Sequence, residues 1–283
     1  MTHQRAERLA GARSWLFTPG TRPHLFGRAG EAGADGLIID LEDAVPAGEK
    51  EAAREHVVAH FAGAPELGLL RAVRINPPSS HAGIRDLDAL LQTTRAPDAV
   101  VLPKSESPGV VALVGALFAE AGKATAVIAL VETAAGVANI AHLAAARELA
   151  GIAVGAADLS ADLGCDPSWT SLAGIRTMLV LHAAASGIPV IDSPFFDLAD
   201  VAGLEVEARA AAARGFSAKA AIHPRQVAVI NAAFTPSAAD LDWAHRVLSV
   251  TAGGAALLDG AMVDEAVARR ARRILASNAH ARR

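Results

Sequence analysis

Apolar positions along this chain gather into short β-rich runs, separated by longer alanine-rich stretches in which apolar residues recur at helical spacing. The runs are SWLFTP (14–19), GLIIDLED (36–43), RAVRIN (71–76), AVVLPK (99–104), AVIALVET (126–133), GIAVGAADL (151–159), IPVIDSP (188–194) and AKAAIHP (218–224). Their starts lie about 22 to 37 residues apart, the length of one βα unit. Between them, RPHLFGRAGEAGA, GEKEAAREHVVAHFA, GIRDLDALLQTTR, GVVALVGALFAEAG, GVANIAHLAAARELA, SLAGIRTMLVLHAAASG and DLADVAGLEVEARAAAARG read as amphipathic helices. Several close on glycine, a frequent helix stop. Eight such units in order predict a closed parallel (β/α)8 TIM barrel over residues 1–235, followed by a C-terminal helical arm over 236–283. An open doubly wound sheet is the alternative, but no GxGxxG turn follows any run.

The polar residues sharpen this picture. Asp40, Glu42 and Asp43 close the second run, Arg74 and Asn76 the third, Lys104 the fourth and Glu132 the fifth. Asp158 closes the sixth, Asp192 the seventh and His223 the eighth. In a barrel these ends converge on one rim, the face where catalytic groups gather. Several carboxylates on one rim repel one another unless something neutralises them, and a divalent cation does so economically. Glu132 and Asp158, on adjacent strands, could each give one oxygen to an octahedral Mg²⁺, with waters and substrate oxygens completing the shell. Mn²⁺ could take the same place. The chain has no closely spaced histidine pair, and an oxygen-rich rim disfavours zinc. Position alone leaves a second reading open, in which Asp158 caps the following segment and Glu132 pairs with Arg74.

Arg74 is the best candidate clamp for a substrate carboxylate, because its planar fork binds bidentately and keeps its charge. It could equally be held in a salt bridge to Asp40, Glu42 and Asp43, and one carboxylate behind the arginine would serve both roles. Lys104 and Lys219 stand out in a chain that has only four lysines. Lys104 could form a Schiff base, but a structural ion pair suits a metal site better, since metal and Schiff base rarely serve one step. Cys165 is the sole cysteine, which rules out an intrachain disulfide framework and a cysteine-rich zinc site. That usage fits a reducing, cytoplasmic setting. At 283 residues, 52% hydrophobic and 20% charged, the chain can bury a large core. A net charge of −4, without a long basic run, disfavours nucleic acid, and no apolar run is long enough to cross a bilayer. The first residues lack the apolar stretch of a secretory signal. Most histidines, and the arginine-rich tail, read as solvated or structural features.

Taken in order, these segments resemble the citrate lyase β-subunit/malyl-CoA lyase family, the CoA-ester lyases of the HpcH/HpaI superfamily. RSWLFTPGTRP resembles the family's opening strand and loop. GADGLIIDLEDAV, VRIN and VLPKSES resemble the next three strand ends, and ALVETAAGV and VGAADL the two metal-bearing ones. GFSAKAAIHPRQ resembles the eighth, and LLDGAMVDEAV the family's C-terminal element, so the likeness runs from about residue 13 to residue 275. It implies Mg²⁺ at Glu132 and Asp158, and Arg74 on the oxo-acid portion of the substrate. It implies Arg22 and Arg28 near the CoA moiety; Asp40, Glu42, Asp43 and Lys104, from the reading of the residues above, stand as supporting residues. It further implies that Asp264 is the acid/base residue, delivered to a neighbouring subunit's rim within a homotrimer or hexamer. From the bare sequence Asp264 also reads as the N-cap of a helix. Two positions depart from the family's pattern. Ala157 stands where many relatives carry glutamate, and Ala266 where many carry proline.

The reaction so implied is Mg²⁺-dependent cleavage of a carboxylated 3-hydroxyacyl-CoA, of the malyl-, citramalyl- or citryl-CoA type, to a 2-oxo acid and a short acyl-CoA. Three other readings compete: a metal-dependent aldolase for free 4-hydroxy-2-oxo acids, a citrate lyase subunit acting on a carrier-protein thioester, and a non-catalytic CoA-ester binder.

Overall fold

The computed structural model of the chain describes residues 3–64, 68–251 and 254–281; the last two residues of the arginine-rich tail lie outside them. Eight parallel strands close into a barrel: β1 (Ser14–Pro19), β2 (Gly36–Asp40), β3 (Leu70–Arg74), β4 (Ala99–Leu102), β5 (Ala126–Val131), β6 (Leu149–Val154), β7 (Val190–Asp192) and β8 (Ala218–Ala221). Each pairs with the next, and β8 returns to β1 through Ser14 opposite Lys219.

Alternation along each strand divides the core in two. Ile38, Ala72, Val101, Leu130, Ala153 and Ala220 point into the barrel. Leu37, Ile39, Val73, Val100 and Val127 point outward against the helices. Alanine makes up half of the inner set, as an eight-stranded interior has little room, while most of the chain's alanines lie in the helices. Trp15 fills the lower barrel, and only a glycine can stand beside it. A Cβ on Gly36 would sit 2.3 Å from the indole ring.

Two sequence expectations shift. RPHLFGRAGEAGA forms a 3-10 turn (Pro23–Leu25) and one short helix (Arg28–Glu31) rather than one long helix. The opening residues, read only as polar, form a helix (His3–Gly11) that brings Leu9, with Ala12 just beyond it, into the inner core at the barrel's N-terminal end. No helix among the described residues is long and apolar enough to cross a membrane.

Beyond the barrel, a helix (Ala238–Thr251) leads to an antiparallel hairpin, β9 (Ala256–Leu258) and β10 (Ala261–Val263), and a last helix (Glu265–Ala281). Ala244, Val247, Val263 and Ala271 give this arm its own small core. Asp259 and Gly260, both at positive φ, make the two-residue turn. Leu257 and Met262 on the hairpin are 74% and 71% exposed.

Candidate active site

A cavity of about 490 Å³ opens at the C-terminal rim. Phe17, Ile38, Val101, Leu130, Ile191 and Ala220 form its apolar floor, and Arg74, Glu132 and Asp158 bring charge to its wall.

The turn after β2 builds the first half of the site. Asp40, the last residue of β2, accepts backbone N–H bonds from Glu42 (2.9 Å) and Ala44 (3.1 Å), which folds the chain back over the strand end. Lys50, which sequence reasoning passed over, donates to the carbonyls of Leu41 and Glu42, both at 2.7 Å, and pins that turn. Its position nine residues beyond Leu41, inside a helix, gives no cue to this contact. Asp40 also accepts two bonds from Arg74, from Nε at 2.7 Å and Nη2 at 2.6 Å. Arg74 Nη1 lies 2.8 Å from Glu42 Oε2 and 3.7 Å from Asp43. The Glu42 contact is close but misaligned, and Oε2 remains buried without a hydrogen-bond donor. Burial opposes the charge on Arg74, but the hydrogen bonds and charge of Asp40, then the charges of Glu42 and Glu132, outweigh it and raise its pKa. The salt-bridge reading of Arg74 is therefore what the chain shows. The rest of the guanidinium borders the cavity.

Lys104 joins the two halves. Its Nζ donates to Glu42 Oε1 at 2.9 Å, and its backbone N–H donates to Glu132 Oε1, also at 2.9 Å. Burial raises the pKa of Glu42, only partly offset by Arg74 and Lys104. Glu132, directly after β5, is 1% exposed. Its burial raises its pKa to about 8, against the lowering effect of the Lys104 amide and with Glu42 and Asp158 adding repulsion. The charge of Arg74 lowers it in part, but ionised Glu132 forms no ion pair among the described residues. Its second carboxylate oxygen lies over Gly155, where a Cβ would come within 2.4 Å of Oε2.

Asp158 corrects an expectation. Instead of ending the sixth strand, it stands in the first turn of a helix (Ala156–Leu163), because β6 stops at Val154 and Gly155 is the N-cap. Asp158 is exposed and faces the cavity beside Glu132, which feels its charge. The alternative pairing of Glu132 with Arg74 is absent from the ion pairs of the described residues.

The expected ring of carboxylates is smaller than the sequence implied. Asp192 is fully buried and gives its oxygens to Arg176 (2.9 Å) and Lys219 (2.7 Å), while Lys219 also reaches Glu207 at 2.6 Å. Asn76 is a buried latch to Asp86 rather than a rim group. His223 caps the helix Pro224–Phe234, its Nδ1 accepting from the Arg225 amide at 3.1 Å. No group of three or more metal-binding side chains occurs among the described residues. Glu132 and Asp158 remain as a pair.

A second cavity, of about 600 Å³, borders the first across Phe17, Pro19 and Ile222 and carries Arg22, Arg28 and His223. Arg28 is exposed and pairs with Glu31 at 2.8 Å. Asp264 belongs to neither cavity lining. It caps the last helix of its own chain, accepting from the amides of Ala266 (2.9 Å) and Val267 (3.2 Å).

Comparison with known proteins agrees with this architecture. The HpcH/HpaI aldolase/citrate lyase family profile matches residues 13–224. The citrate lyase subunit beta-like protein of Mycobacterium tuberculosis is 39% identical over 267 residues, which cover 91% of this chain and 92% of that one. The L-malyl-CoA/beta-methylmalyl-CoA lyase of Rhodobacter capsulatus is 31% identical, covering 92% of each chain. A crystal structure of CitE from Mycobacterium tuberculosis in complex with magnesium, acetoacetate and coenzyme A superimposes with a TM-score of 0.83. It is 37% identical and covers 96% of this chain and all of that one.

Proposed function

The chain belongs to the HpcH/HpaI aldolase/citrate lyase family, and we propose that it is a Mg²⁺-dependent lyase that cleaves a carboxylated 3-hydroxyacyl-CoA to a 2-oxo acid and a short acyl-CoA. The observation that carries this reading is the Glu132–Asp158 pair. A carboxylate buried so deeply, with a second beside it and every nearby cation engaged elsewhere, fits a divalent ion with oxygen ligands. Two protein oxygens, with the rest left to water and substrate, is a usual arrangement for Mg²⁺. The magnesium in the related CitE complex supports the same choice. Mn²⁺ fits the same donors.

When bound, the cation supplies Lewis-acid stabilisation of negative charge developing on substrate oxygens. The chain's own residues do the rest. Arg74, held by Asp40, offers its remaining N–H groups to the carboxylate of the oxo-acid portion. Asp40 and Glu42 fix its rotamer in advance, so little ordering remains for substrate binding. The apolar floor excludes water from the reacting centre and strengthens each of these interactions. Arg22 and Arg28 border the adjoining cavity, where they suit the phosphates of CoA. The carbon–carbon bond beside the hydroxyl-bearing carbon breaks as that hydroxyl becomes the carbonyl of the 2-oxo acid, and the bond's electrons pass to the thioester enolate. One proton leaves the hydroxyl and one arrives at the enolate carbon, so the cleavage is proton-neutral. Asp264 is the group assigned to that carbon. Because it stands outside its own chain's cavity, it would serve a neighbouring subunit of a homotrimer or hexamer, with exposed Leu257 and Met262 beside it for burial there.

The test is incubation with malyl-CoA, citramalyl-CoA and citryl-CoA, with Mg²⁺ or EDTA, while following 2-oxo acid release. Free 4-hydroxy-2-oxo acids and a carrier-protein thioester run alongside. Cleavage of a CoA ester that EDTA abolishes is the expected result. Turnover of only the free acids, or only the carrier thioester, refutes it.

A further inference from the structure

We infer that Lys104 is a positioning residue whose left-handed backbone orients Glu132 and whose ammonium, through Glu42, orients Arg74; this rests on the metal and clamp roles proposed above. Only two non-glycine residues among those described have positive φ. Asp259 (φ 52) makes the hairpin turn, where aspartate is common, and Lys104 (φ 46) stands at the rim. Lysine gains no local compensation in that conformation, which glycine adopts freely. Strain of this kind persists where the surroundings impose it, and it marks functional sites more than ordinary loops.

The contacts show what the conformation accomplishes. The Lys104 N–H reaches Glu132 Oε1 at 2.9 Å, the one hydrogen bond to that carboxylate among the described residues. The same residue's Nζ reaches Glu42 Oε1 at 2.9 Å. The other oxygen of Glu42 lies 2.8 Å from Arg74 Nη1. Without the ammonium, Glu42 would have Arg74 as its nearest cation and would draw the guanidinium from its Asp40-held pose. A glycine at this position would relieve the strain but carry no ammonium. The chain thus keeps a strained lysine where backbone and side chain act on two different halves of the site.

Two substitutions separate these actions. Lys104→Gly deletes the ammonium and keeps the left-handed backbone open; Lys104→Val deletes the ammonium and disfavours that backbone. MgCl2 alone is titrated calorimetrically into each full-length variant, without substrate. The Gly variant is expected to bind within about threefold of the wild-type Kd, and the Val variant about tenfold or more weakly, the usual scale for loss of a group that orients a metal ligand. Both are expected to raise KM for the 2-oxo acid in condensation more than they lower kcat. Near-UV circular dichroism checks the fold, and Lys104→Leu replaces the Val variant if the latter does not fold. Equal Mg²⁺ affinity in the Gly and β-branched or Leu variants overturns the inference. Glu132→Gln is the control. If it binds Mg²⁺ like the wild type, the metal assignment fails as well; if it alone loses Mg²⁺, only the positioning role fails.

Discussion

Glu132→Gln separates what the site costs in stability from what it gives in function. Burial lifts the Glu132 pKa to about 8 from the ordinary 4.5. Between those values the folded chain holds a proton that the unfolded chain has released. Stability therefore falls as pH rises through that window and levels off above it. At about 1.4 kcal/mol per pH unit, the loss reaches about 3 kcal/mol at pH 7 and about 5 kcal/mol above pH 9. Glutamine has the same shape, cannot ionise, and keeps a carbonyl to accept the Lys104 amide. In EDTA the variant should therefore be more stable than the wild type by about 3 kcal/mol at neutral pH, the two converging towards about pH 4. Urea unfolding followed by circular dichroism, in steps from about pH 5 to about pH 9, reads this difference. Mg²⁺ at about 1,000 times its Kd should reverse the order at pH 7, since binding then adds about 4 kcal/mol to the wild type alone. A stability difference that stays flat across that range in EDTA would refute the reasoning. Glu132 would then be an ordinary carboxylate, and its burial would not explain why the site needs a cation.

Two further outcomes follow from named contacts. Gly155→Ala puts a Cβ within 2.4 Å of Glu132 Oε2, so Mg²⁺ affinity should drop about 10- to 100-fold with the near-UV spectrum unchanged; an unaltered calorimetric Kd would show that Glu132 has another place to go. Asp264→Asn retains a good N-cap, so it should keep the wild-type melting temperature yet lose turnover. Mixed and reassembled with inactive Glu132→Gln, it should regain activity if the arm of one subunit serves another, and no recovery would place Asp264 at its own chain's site or outside the chemistry.

The barrel was legible because eight short apolar runs, buried on both faces, recur at the spacing of βα units with helical stretches between them. Strand ends were less so, for a reason visible at two of them. GLIIDLED reads as one run, but Asp40 turns its carboxylate back onto the amides of Glu42 and Ala44 and ends pairing there. GIAVGAADL reads as one run, but Gly155 caps a helix and moves Asp158 onto its first turn. In the arm, Asp259–Gly260 between apolar residues was a hairpin signal in plain view.

The site shows the sharper limit. Residue type and strand position indicate which charges reach the rim, but not which of them neutralise one another. Asp192 occupies a strand end like the others, yet Arg176 and Lys219, from a helix and from β8, consume it entirely. Asp40 and Glu42 are likewise matched by Arg74 and Lys104. Only after those pairs are removed does the deficit emerge: two carboxylates on adjoining elements, one of them buried, neither with an ion pair among the described residues. That remainder, more than the count of acidic strand ends, is the physical case for a metal. It depends on the backbone of Lys104 and the missing Cβ of Gly155, which place the Glu132 carboxylate where a second carboxylate already stands. Neither conformation nor close approach can be read from residue types, so position can nominate Glu132 and Asp158, but their charge deficit becomes visible only when the pairing of every neighbouring charge is known.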